Sequence, residues 1–254
     1  MNVSTIGGKT FLVVGATSAM ATELIRRLAA RRVGFVLAAR DTDRLARIKA
    51  DIETRYGVSC QTLTFDALDR ATVGGVFQQA VETVPSGIDG VIVCHGFTPN
   101  EAAPLSESQV HDTFEINLIS TVTILEQAAR YLSEKGGGMI AAISSVAGDR
   151  GRQSNYIYGA SKAGLTTFLE GLRNRLQRRD VHVLTIKPGF VDTPMTRGFK
   201  APPSFLVATP ARIAADIERA MLRRQNVVYT PWFWRWIMTI ICLIPEPIFK
   251  RMKL

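Results

Sequence analysis

"TFLVVGATSAMATELIRRLAA", residues 10 to 30, is an apolar run that ends at Gly15, a turn of small residues, and then the spacing of an amphipathic helix. An apolar run with no polar alternation is buried on both faces, which marks a strand of a parallel sheet covered by helices. The same unit recurs to near the end of the chain. Further apolar runs stand at 34–39, 59–65, 90–95, 138–144, 181–187 and 227–230. Helical patterns lie between them, near 42–55, 70–83, 107–133, 157–178 and 210–224.

Strand and helix alternate throughout, and right-handed crossovers turn such a series into a doubly wound sheet. The expectation is an α/β protein: one Rossmann-like domain over 1–230, with a parallel sheet of about seven strands and helices on both faces. Its ligands belong at the carboxyl ends of the strands. At 254 residues there is room for one large core, and 46% hydrophobic with 21% charged residues excludes disorder. Cys60, Cys94 and Cys242 are odd in number, unrelated in spacing and set in apolar segments, so neither a disulfide framework nor a metal site is expected. A reducing, cytoplasmic location fits, and "MNVSTIGGKT" carries no export signal.

The first turn leaves backbone N–H groups at a helix N-terminus, which suits a pyrophosphate. Of a G-x-x-x-G-x-G pattern only Gly15 is present; Ala19 and Ala21 fill the later positions, so a plain strand-to-helix turn is the competing reading. At the end of the second run, where an acid would hold an adenosine ribose, Ala39 is followed by Arg40. A cation there favours a 2'-phosphate and hence NADP(H); the alternative is a solvated arginine beside Asp41 as a helix cap.

In "YIYGASK", Tyr158 and Lys162 are four apart and share a helix face. A cation beside a phenol lowers a pKa of about 10 toward the range where proton exchange is useful. The pattern also occurs as Tyr131 to Lys135 in "YLSEK", but that pair precedes "GGG" at a helix end and is expected at the surface. Ser145 stands thirteen residues before Tyr158, at the end of the fifth run, where a hydroxyl polarises a carbonyl.

"GATSAMA", Asp66, Asn117 in "FEINL", Ser145 in "ISSVAG", "YGASK" and "KPGFVDTP" follow one another over about residues 10–230. This set resembles the short-chain dehydrogenase/reductase family. The resemblance implies that Tyr158 donates the proton in ketone reduction, that Lys162 holds the nicotinamide ribose, that Ser145 binds the carbonyl oxygen and that Asn117 supports a relay water. It implies a cofactor site of Gly15, Thr17, Ser18, Ala19 and Met20 at the phosphates, Asp66 at the adenine, and Gly96, Pro188, Gly189, Val191 and Thr193 toward the nicotinamide. Two departures stand out: Ala19 adds a methyl near the phosphates, and the usual Asn-Asn-Ala-Gly reads Val93, Cys94, His95, Gly96. His95 is then either an extra acid or a spacer packed on backbone, and Tyr156 either lines the substrate pocket or packs at the helix start. His111 and His182 are assigned no role.

The stretch 196–210, "TRGFKAPPSFLVATP", is a candidate lid. The segment 231–254 holds all three tryptophans, Trp232, Trp234 and Trp236, and ends in Lys250, Arg251 and Lys253. From Arg219 onward seven basic residues face one acid, Glu246, so six of the nine net positive charges lie there. A helix over Trp232–Ile244 reaches about 20 Å, short of a hydrocarbon core of about 30 Å. It suits a membrane interface, with the three tryptophans at headgroup level, or a subunit contact in a homo-oligomer, rather than nucleic acid. The "SSVAGDRGRQSNYIYGASKAGL" and "IPEPIFKRM" stretches are similar to the decaprenylphosphoryl 2-keto-pentose reductase group of the family. The expectation is an NADPH-dependent ketone reductase acting on a lipid-linked keto-sugar or long-chain lipid, peripheral on the inner membrane face. A soluble ketone or 3-ketoacyl reductase, and a non-catalytic nucleotide sensor or scaffold, are the alternatives.

Overall fold

The computed structural model describes residues 6–101, 103–194 and 203–252. Seven parallel strands form the central sheet: β1 (Thr10–Val14), β2 (Gly34–Ala39), β3 (Cys60–Thr64), β4 (Gly90–Val93), β5 (Gly138–Ile143), β6 (Val181–Pro188) and β9 (Val227–Thr230). Their order is β3-β2-β1-β4-β5-β6-β9, the doubly wound arrangement expected from the alternation. A two-residue ladder, β7 (Phe190–Val191) with β8 (Val207–Ala208), lies apart from it. Residues 196–202 of the candidate lid fall outside the described residues; from Ser204 it forms a short 3-10 turn leading into β8.

Strand β1 shows why the runs are apolar on both sides. Phe11 and Val13 enter one core with helices α1 (Ala19–Ala29), α2 (Thr42–Tyr56) and α7 (Pro210–Leu222) through Leu24, Leu45 and Ile213. Leu12 and Val14 enter the opposite core with α3 (Arg70–Thr83), α5 (Ser120–Lys135) and α6 (Tyr156–Leu176) through Phe77, Ile124 and Leu165. Phe11 to Val14 are therefore all apolar because successive side chains alternate between two buried layers. Ser18 and Asp41 cap α1 and α2 by accepting from Ala21 and Arg44 N–H.

The pattern read as one helix over 107–133 is three pieces: α4 (Glu107–Phe114), a π turn over Glu115–Ile119, and α5. Such π turns insert an extra residue and re-aim side chains, here Asn117. The chain order reverses between β1 and β4, so their carboxyl ends open a crevice. Gly15 borders it at φ +78°, and a Cβ there would lie 2.7 Å from the Cα of His95. Glycine is required both by the left-handed backbone and by the approach of the segment leaving β4.

The C-terminal segment folds back as α8 (Trp234–Leu243) and α9 (Glu246–Phe249). Trp234 and Met238 are buried with Val146 in a third apolar cluster, flanked by Tyr229, Phe233, Ile237 and Ile241. Trp232, Trp236, Ile240 and Leu243 remain exposed on the opposite face. Of the three tryptophans expected at an interface, Trp234 is instead buried, because helical spacing turns it toward the domain.

Candidate active site

Ser145 leaves β5 in extended conformation and accepts a hydrogen bond from Ala147 N–H at 3.1 Å. Tyr158 lies on the first turn of α6, half-buried, with its hydroxyl hydrogen-bonded to Ser145. Burial pushes the phenol above its usual range, while Ser145 and the Arg152 guanidinium pull the other way. The phenol is therefore protonated at neutral pH, the form a proton donor needs.

Lys162 is 3% exposed and donates to Ile143 O at 3.0 Å, with its Nζ 5.9 Å from the centre of the Tyr158 ring. Burial pulls its ammonium down to about 8. Arg152 is thus a second cation near the phenol, beside the Lys162 to which the helical spacing pointed. Sequence reading missed Arg152 because "DRGR" is an unpatterned loop in which a charged residue ordinarily faces water.

Asn117 is fully buried and clamps the segment leaving β4: its Oδ1 accepts from Phe97 N–H at 2.8 Å, and its Nδ2 donates to Phe97 O at 2.7 Å and to Ser161 Oγ at 3.1 Å. With its amide committed, this side chain locks the site's floor. Gly96 lets it do so, since a Cβ there would stand 3.2 Å from Asn117 Oδ1 and 3.5 Å from Lys162 Nζ. His95 hydrogen-bonds Ser120 Oγ through Nε2 at 2.9 Å, and burial, with the Lys162 charge second, lowers its pKa to about 3. A ring that is neutral at working pH fits the spacer reading. Tyr156 is 51% exposed, so it is not packed at the helix start.

Glu101 supplies what the local sequence of α6 lacks. Asn155 offers no side-chain cap, and instead the Glu101 carboxylate, 8% exposed, accepts from Ile157 N–H and Tyr158 N–H, each at 2.9 Å. A carboxylate at a helix N-terminus also complements the dipole. Glu101→Ala is expected to cost about 1–2 kcal/mol of stability, as loss of a good cap does, and to lower kcat by loosening Tyr158. Glu101→Gln, which keeps one acceptor oxygen, falls between; thermal unfolding with steady-state kinetics checks both.

On the cofactor side, the N–H groups of Ala19 and Met20 at the start of α1 find no acceptor in the described chain, and Ser18 Oγ is spent on Ala21 N–H. Arg40 is exposed at the carboxyl end of β2 and enters no ion pair among the described residues. Free donors at a helix N-terminus and an uncommitted cation on the next strand suit a phosphorylated dinucleotide. Asp66 folds on itself, its Oδ1 accepting from Leu68 N–H at 3.1 Å. Pro188 ends β6, Val191 is buried in β7, and Gly189 packs against the Trp234 indole so closely that a Cβ would collide with it. Thr17 and Thr193, both half-buried, lie beside these two segments.

The pair Tyr131 and Lys135 lies at the opposite edge. Lys135 Nζ bonds Ile88 O and Asp89, each at 3.0 Å, just before β4 begins, and Tyr131 packs edge-on against Phe77. Their position away from the site is as expected, although Tyr131 is part of a packed contact. Among the described residues no cluster of His, Cys, Asp or Glu is arranged for a metal.

Fold and site together define an α/β oxidoreductase. The chain belongs to the short chain dehydrogenase family, whose model matches residues 9–203. It is 34% identical over 248 residues to an uncharacterized oxidoreductase of Mycobacterium tuberculosis, covering 97% of this chain and 98% of that one. It is 28% identical over 230 residues to the ketoacyl reductase HetN of Nostoc, covering 89% and 79%. Among solved structures, a short-chain dehydrogenase from Sphingobium yanoikuyae in complex with NADPH superposes with a TM-score of 0.82 at 23% identity, over 94% of this chain and 97% of that one.

Proposed function

We propose that the protein is an NADPH-dependent reductase that converts a ketone to a secondary alcohol on a lipid-borne substrate, a lipid-linked keto-sugar or a long-chain keto lipid, at the membrane surface. The observation that carries the chemistry is the Tyr158 hydroxyl hydrogen-bonded to Ser145 at the carboxyl end of the sheet. The bound nicotinamide supplies the hydride. Ser145 holds the substrate carbonyl oxygen by hydrogen bond, Tyr158 passes its hydroxyl proton to that oxygen, and Lys162 and Asn117 keep the floor rigid. Ala19 and Met20 N–H receive the pyrophosphate, and Arg40 the 2'-phosphate.

The lipid assignment rests on the free face of α8. Trp236, Ile240 and Leu243 are spaced to share one side of the helix, Trp232 precedes it, and all four are 61–76% exposed. Exposed Arg235, Lys250 and Arg251 enter no ion pair among the described residues. An apolar stripe with aromatic anchors and uncommitted cations matches an anionic lipid surface. Among the described residues no helix is long and apolar enough to cross a membrane. The test is co-sedimentation with anionic phospholipid vesicles. The intact protein is expected to pellet with them, and a Trp236→Ser/Ile240→Ser variant to remain in the supernatant with its fold intact. Equal sedimentation of both, or a variant that only splits an oligomer, replaces the lipid surface by a second copy of the chain and favours a soluble ketone substrate.

A further inference from the structure

We propose that Arg152 is an anion-recognition residue of the substrate pocket, and that the ketone reduced here carries a phosphate or carboxylate close to its carbonyl. The inference deepens the reductase reading and rests on its placement of the substrate carbonyl at Ser145 and Tyr158.

The two arginines of "DRGR" do opposite work. Arg150 turns outward to the tail: its Nη1 donates to Ile241 O at 2.7 Å and Ile244 O at 2.6 Å, its Nη2 pairs with Glu246 at 3.1 Å, and its guanidinium stacks 3.7 Å over the Phe249 ring. Arg152 has no such partner. It is half-buried in the loop between Ser145 and Tyr158, its Nε is buried without any hydrogen bond, and it enters no ion pair among the described residues. A guanidinium carries five donors that cannot be deprotonated, so burying it unpaired is unfavourable unless a ligand completes it.

The carboxylates of this end of the site are already spent. Asp149 holds Lys187 Nζ at 2.6 Å on one oxygen and the Tyr229 hydroxyl at 3.0 Å on the other. Glu101 uses both oxygens on the start of α6. Lys162, the remaining charge at the site, is a cation and is directed to Ile143 O. Asp149 and the Tyr158 phenol act on the Arg152 guanidinium through space, but neither gives it a hydrogen bond or an ion pair among the described residues. The same turn buries a second unpaired polar atom, the Asn155 Oδ1, an acceptor suited to a substrate hydroxyl. Orphaned polar atoms this close to a reacting group are what a polar ligand explains. A guanidinium fork fits the paired oxygens of phosphate or carboxylate, whereas a neutral ketone leaves it unmet.

The NADPH-loaded protein is assayed with two matched pairs: dihydroxyacetone phosphate against dihydroxyacetone, and acetoacetate against methyl acetoacetate. Preference for the phosphorylated or the carboxylated member identifies which anion is read. In wild type the anionic member is expected to lead in kcat/KM, and Arg152→Gln to erase about 10- to 100-fold of that lead through KM, with Arg152→Lys recovering part. In parallel, inorganic phosphate is expected to raise the Tm of the NADPH-loaded wild type but not of Arg152→Gln. That second readout needs no turnover and stands whichever residue donates the proton. An unchanged preference in Arg152→Gln, or a phosphate shift that is equal in both proteins or absent from both, overturns the proposal. Reduction that survives Tyr158→Phe would instead remove this tyrosine as the proton donor while leaving the phosphate shift to decide Arg152.

Discussion

Tyr158→Phe is expected to lower kcat for ketone reduction by about 10²- to 10⁴-fold, the range for removing a positioned proton donor, while NADPH still binds. The ring keeps its place on α6 and loses only the hydroxyl that meets Ser145. A donor must be protonated, and burial, which raises this pKa above the phenol's ordinary value, keeps it so through neutral pH. Reductive activity is therefore expected to persist through neutrality and to fall only on the alkaline side, as the phenol ionises. Arg152 stabilises the phenolate, so its removal moves that alkaline limb to higher pH. Unchanged kcat in Tyr158→Phe on every ketone reduced by wild type would show that the protein does no proton transfer at this residue.

Trp234→Ala is expected to cost about 3–5 kcal/mol, the usual range for emptying a buried aromatic site, whereas Trp236→Ala should change stability by no more than about 0.5 kcal/mol. Two residues apart on α8, the first is 3% exposed and the second 61%. Trp234 fills the space between Val146, which follows Ser145, and Gly189, and it meets the Phe190 ring edge-on at 5.5 Å. Its loss opens the segment expected to face the nicotinamide, so NADPH affinity should fall along with Tm. Calorimetry of the two variants with an NADPH titration checks the contrast, and equal Tm values for both would mean that α8 does not dock. Ending the chain at Thr230 would strip this cluster and leave Arg150 without its carbonyl partners, so a truncation reports on folding as much as on lipid. Substitutions on the exposed face separate the two.

Much of the site was legible as spacing. Tyr158 and Lys162 share a helix face, Ser145 ends a strand, and Gly15 opens the first turn, because helices and strands impose fixed periods on the residues they present. Asn117 was found by its motif, but the π turn that sends its amide to Phe97 and Ser161 has no such period. His95 stood between an extra acid and a packed spacer, and burial with the neighbouring Lys162 charge favours the spacer.

By itself the sequence determined the alternation of strands and helices and the two-sided burial of the sheet, since these follow from local apolar periodicity and chain order. Only the tertiary structure decided that Glu101 caps a helix whose first residue lies 55 positions away, that Arg152 joins Lys162 near the phenol, and that Trp234 belongs to the core while Trp236 faces out. Each of these depends on which distant segments meet in space, and charge and burial at a point are sums over all the neighbours brought there by the fold.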